Sequence, residues 1–71
     1  MRALREEVEL LTVRQREVFV ALALNEVPID VLAERLDTTR GALYKTLHDA
    51  RRKLRTALAA RGLGIDLGEQ P

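Results

Sequence analysis

One apolar repeat constrains this chain more than any other feature. Leu43, Leu47, Ala50, Leu54 and Ala57 recur in alternating steps of four and three, which is the period of a single helical face. Thr39 before the repeat can cap a helix through its hydroxyl, and Gly62 after it can end one in a left-handed turn. The spacing therefore predicts one helix running from the cap at Thr39 to about Arg61, on the order of 30 Å long at about 1.5 Å per residue. In a chain of 71 residues such a helix must be the spine of the fold. A chain this short buries only roughly 60% of its unfolded surface, so its core is modest. The aromatics are Phe19 and Tyr44 alone, which leaves Leu, Val and Ala to build that core.

Three shorter segments are available to pack on the spine. Leu4, Val8 and Leu11 recur at helical spacing and predict an amphipathic helix over residues 2–10. Thr12 and Gln15 then stand at the two positions of a capping box, opening a helix from Val13 to about Leu24 that buries Val18, Leu22 and Phe19. Asn25 and Pro28 interrupt it, because proline lacks the amide hydrogen and disfavours helix in the residue before it. Ile29 to Leu36 form a third, short helix with Leu32 and Leu36 inward and Ala33 small enough to admit a neighbour. Asp37 and Thr38 break the pattern before Thr39. The expected fold is all-α: four helices with a C-terminal helix-turn-helix and no winged element, over residues 1–61. Residues 62–71, with three glycines and a terminal proline, are expected to be a flexible tail.

A net charge of +1 conceals a polarised chain. Residues 1–39 hold five Arg against eight Asp or Glu, a balance of −3. Residues 40–61 hold Arg40, Lys45, Arg51, Arg52, Lys53, Arg55 and Arg61 against Asp49 alone, a balance of +6. Asp66 and Glu69 make the remainder −2. A basic segment of this density points to a polyanionic partner. The chain has no cysteine, which excludes disulfides and thiolate metal sites and suits a reducing compartment. Its longest apolar run, Val18 to Leu24, falls far short of the roughly 20 residues of a membrane span. With no signal segment at the start, the expectation is a cytoplasmic protein that does not engage membranes.

A short helix, a tight turn and a longer basic helix make a helix-turn-helix, whose second helix fits a B-DNA major groove with its N-terminal side chains at the base edges. The motifs then resemble a family. "LTVRQREVF" and "VLAERLDTTRGALYKTLHDARRKLR" are similar to region four of bacterial sigma factors, most closely the small extracytoplasmic-function type. The resemblance covers residues 11–58. It is carried chiefly by Arg14 to Phe19, by Ala33 and Leu36, and by Leu47 to Leu54. The chain departs from the family pattern at Pro28, Asp37 and Thr38, at Tyr44 to Thr46, and at Asp49. Regulators of the LuxR type also begin L-T-x-R-E-R-E-V, but their first-motif spacing is one residue shorter than Leu11 to Leu36 and they lack the A-R-x-x-L signature. The resemblance implies recognition of the −35 element in double-stranded promoter DNA by a domain docked on the β-subunit flap of RNA polymerase. An anti-sigma factor is a further partner of such domains. It also implies a piece of a longer chain, without the segment that melts the promoter.

Several side chains then become candidate contacts. Lys45 and His48 lie on the outer face, where matching family positions read DNA. Tyr44 is either a groove contact or a ring covering the helix pair. Arg40, which begins the helix, could hold a phosphate. Arg51, Arg52 and Arg55 lie beyond the N-terminal turns and fit backbone contacts better than base contacts. Arg14 and Arg16 could hold phosphate or pair with Glu17 and Glu34. Asp49 repels phosphate unless it pairs with Lys45 or Lys53, each four residues away. His48 is the sole histidine and its surroundings are basic, so no triad or metal cluster can be assembled around it. The chain is expected to be no enzyme and to need no cofactor. The readings from other classes are a LuxR-like regulator and a protein-interaction module, the latter using Phe19, Leu22, Val27 and Val31 if they are exposed.

Overall fold

The computed structural model describes residues 2–62. Among them are four helices and no strand: α1 (Arg2–Glu9), α2 (Val13–Phe19, continued by a widened π turn over Val20–Leu24), α3 (Ile29–Arg35) and α4 (Arg40–Ala60). The expected tail lies, Gly62 apart, outside the described residues.

Each helix start follows from local chemistry. The Thr12 amide donates to Gln15 Oε1 and the Gln15 amide donates to Thr12 Oγ1, both at 3.2 Å, closing the expected capping box. At α4 the Ala42 amide donates to Thr39 Oγ1 at 3.1 Å. Each cap satisfies an amide that the helix itself cannot, and is worth about 1 kcal/mol.

The helix ends required the structure. The α-helix expected to reach Leu24 changes to π geometry after Phe19, with the Asn25 amide donating to the Val20 carbonyl at 2.9 Å. The left-handed residue that turns the chain is Glu26 (φ 54), whereas Asn25 stays right-handed. At the end of α3 the Asp37 amide bonds the Glu34 carbonyl (3.2 Å) and the Thr38 amide bonds the Ala33 carbonyl (2.9 Å). That is a Schellman closure, and it places Asp37 at φ 53 where glycine is usual. Gly62 (φ 80) ends α4 as expected.

The core runs along α4. Leu43, Leu47, Ala50 and Leu54 are buried against Val8 and Leu11, Val18 and Phe19, and Leu32 and Ala33, and Leu58 further along the helix is buried as well. The last residue of the stripe is Leu58, not Ala57, which is half-buried. The difference is tertiary: α1 packs on α4, and Leu58 is fully buried while Ala57 stays partly exposed. Full burial of each such leucine contributes roughly 1.5–3 kcal/mol. Phe19 is 3% exposed and belongs to this core. Leu22 and Val27 are half-buried against it, so of the four residues considered for a protein-binding face only Val31 is exposed.

Candidate nucleic-acid interface

Because the buried stripe of α4 is narrow, the opposite side of that helix is exposed to solvent. At about 100° per residue, Lys45, His48 and Arg52 fall across the axis from Leu43, Leu47 and Leu54, and all three are exposed. Tyr44 and Arg55 lie on one flank of this face and are exposed as well. Tyr44 is 57% exposed.

Arg40, Arg51 and Arg61 are placed differently. Arg40 reaches back to α3, its Nε 2.5 Å from Asp30 Oδ1 and its Nη2 3.4 Å from Asp30 Oδ2. Arg51 is half-buried, and its Nε is shielded from solvent with no hydrogen-bond partner among the described residues. Arg61 turns to α1: Nη2 bonds Glu6 Oε1 at 2.8 Å, and Nη1 bonds Glu7 Oε2 at 3.1 Å and the Ala3 carbonyl at 3.3 Å. The hydrogen bond to Glu6, ahead of the charges around it, raises the Arg61 pKa above its ordinary value. The basic balance of residues 40–61 thus overstates the charge offered to a ligand, since Arg40 and Arg61 are both tied to carboxylates of other helices.

Between the start of α2 and the middle of α4 is a shallow concavity lined by Gln15, Asp49, Arg52, Lys53, Thr56 and Ala57. Sequence reasoning put Arg52 on the contact face and left out Lys53 and Gln15, which the packing of α2 against α4 brings beside it. Asp49 shares this concavity. Among the described residues no ion pair joins it to Lys45 or Lys53, the two partners that i,i+4 spacing offers. Arg14 does take the internal option, pairing with Glu17 at 3.8 Å. Arg16 is half-buried beside Glu17 and Arg35 in a second shallow depression.

Among the described residues no group of three His, Cys, Asp or Glu is placed to hold a metal ion, and no helix is long and apolar enough to cross a membrane. What the geometry presents is an all-α helix-turn-helix with a basic, solvent-facing second helix, the architecture of a DNA-reading module. A family model described as sigma-70, region 4 matches residues 1–54, three quarters of the chain. The chain therefore belongs to the sigma-70 region 4 family, the domain that in sigma factors binds the −35 promoter element. That family is one of non-enzymatic transcription factors. The match includes α1, which the sequence motifs left out. Neither curated proteins nor solved structures yield a match.

Proposed function

We propose that this domain recognises the −35 element of promoter DNA for RNA polymerase, as region 4 of an extracytoplasmic-function type sigma factor working in the cytoplasm. The observation that carries the reading is the exposed basic face of α4 behind a braced helix-turn-helix. In this reading the N-terminal half of α4 enters the major groove. Lys45, His48 and Tyr44 face base edges there, while Arg52 and Arg55 lie along a phosphate strand, with Lys53 beside Arg52. Arg51 contributes as a half-buried flank rather than as an outstretched contact. Apolar side chains left in solvent on the back of α2, Val13 (73% exposed) and Leu24 (53%), offer a surface for the polymerase β flap or an anti-sigma factor.

The test is the affinity of the chain for duplex DNA as a function of salt. Neutralising about four phosphates makes log K fall with log salt at a slope of roughly −3 to −4. A flat response would leave α4 a merely solvated face and favour the protein-interaction reading.

A further inference from the structure

The outward side of α4 carries one charge of the wrong sign for a polyanion. Asp49 stands about 200° around the helix from Leu47, across the axis from the buried stripe, at one of the positions where the chain departs from the family pattern. It is half-buried, whereas Lys45, Arg52 and Lys53 around it are exposed. Asp49 lines the concavity between α2 and α4 together with Gln15, Arg52, Lys53 and Thr56. Apart from the carboxylate, that lining is rich in donors. Arg52 and Lys53 supply cationic N–H groups and Thr56 a hydroxyl. Gln15 has its Oε1 engaged by the Thr12 amide at 3.2 Å, so its amide nitrogen is the end it offers outward. Such a set suits one phosphate of a duplex backbone. The carboxylate stands among these groups with no ion pair to Lys45 or Lys53 among the described residues. Its field therefore acts on whatever enters the concavity, and half-burial leaves that field less screened than on open surface.

Resting on the DNA-reading role proposed above, we propose that Asp49 sets the affinity of this domain for DNA. It keeps the phosphate seat of Arg52 and Lys53 below full strength for duplexes of every sequence. A phosphate entering the concavity meets two cations and one anion, so the seat offers one net charge where the cations alone would offer two. Lys53 is the cation most affected, because it lies one helical turn from Asp49 and shares the concavity. Attraction to phosphates supplies essentially all non-specific binding. The weakened seat leaves the domain little hold on DNA unless base contacts from Lys45, His48 and Tyr44, or contacts made by the polymerase, are added to it. Asp49 acts against backbone binding as such and reads no base.

The test uses the full chain and two duplexes, one selected from a randomised pool and one scrambled. Binding to both is measured at several salt concentrations for wild type, Asp49→Asn and Asp49→Ala. Lys53→Ala is added in the wild-type and Asp49→Asn backgrounds. Glu9→Gln, the same change of charge at an exposed position of α1, controls for net charge. Both Asp49 variants are expected to bind both duplexes about three- to tenfold more tightly, the effect of one charge at roughly 7 Å in surroundings between water and a protein surface. The salt slope should steepen by up to about one, as Lys53 becomes available to a phosphate. Lys53→Ala should therefore cost more in the Asp49→Asn background than in wild type, and should remove most of the gain. Glu9→Gln should change affinity by less than about twofold, because an exposed charge further off is screened. Thermal melting of Asp49→Asn should match wild type. Unchanged affinity in both Asp49 variants overturns the proposal, as does a gain that Glu9→Gln reproduces in full or that Lys53→Ala leaves intact. Weaker binding to the selected duplex alone overturns it in favour of a base amine donating to the carboxylate. Wild type that binds neither duplex at low salt overturns the DNA-reading role itself, and the proposal with it.

Discussion

The two ends of α4 each carry an arginine that reaches across to another helix, and the two are not used alike. Arg61 meets two carboxylates and a carbonyl of α1, and its side chain is 38% exposed. Arg40 meets one carboxylate of α3 and is 64% exposed. The arginine with three acceptors serves as a clamp between α4 and α1. The singly held arginine stays the more open of the two. On one helix, two cations of equal formal charge thus differ in the number of acceptors around them. Summing charges along the sequence hides that difference.

The largest effect should come from the clamped end. Leu58 is fully buried there, and Leu58→Ala is expected to destabilise the domain by about 2–5 kcal/mol, the usual range for a leucine-to-alanine cavity. At about 4–8 °C per kcal/mol for a domain this size, that drop is easily seen in a melting curve. An unchanged curve would mean that α1 does not close this end.

At the reading end a deletion should affect binding and not folding. Lys45→Ala is expected to weaken binding to the preferred duplex by about 1–3 kcal/mol and to relax preference at one base. Its stability should stay within about 0.5 kcal/mol of wild type, as for other surface changes. If Lys45→Ala melts the domain instead, the contrast between the two ends collapses.

A smaller effect sharpens the same contrast. The turn before α4 holds Asp37 at φ 53, and Asp37→Gly removes that strain at the expense of a freer unfolded chain. The net expectation is a stabilisation of about 0.5 kcal/mol, with sequence preference unchanged. Loss of preference would show that the aspartate, and not only the turn, sets the angle of the reading helix.

Which of these features were legible beforehand depends on how far apart the partners are. The capping box of Thr12 and Gln15 and the cap of Thr39 join residues three apart, so their chemistry is written in one short stretch. The stripe from Leu43 to Leu54 is likewise set by helical period alone. Its last member is not set that way, because Ala57 and Leu58 both lie near the stripe and only the tertiary packing around that end buries Leu58. The ion pairs of Arg40 with Asp30 and of Arg61 with Glu6 and Glu7 join different helices across ten residues or more. Nothing in their local sequence distinguishes them from solvated charges. The π turn over Val20–Leu24 escaped for a related reason. Its residues suit an α-helix, and its widening shows only in the backbone bonds that the Asn25 and Val27 amides make to the Val20 and Ala21 carbonyls. The helix-turn-helix was therefore readable from local pattern, whereas the division of labour among its arginines was not.

The most direct test of that division compares two cations of α4 in one salt titration. Arg52 stands exposed on the basic face, and Arg61 is bound to α1. Binding to a promoter duplex is measured at several salt concentrations for wild type, Arg52→Ala and Arg61→Ala, below the melting temperature of each. Wild type should show a slope of roughly −3 to −4, and Arg52→Ala should reduce it by about one. Arg61→Ala should lower the melting temperature and leave the slope where it was. A flat wild-type response, or equal loss of slope in both variants, would contradict the account.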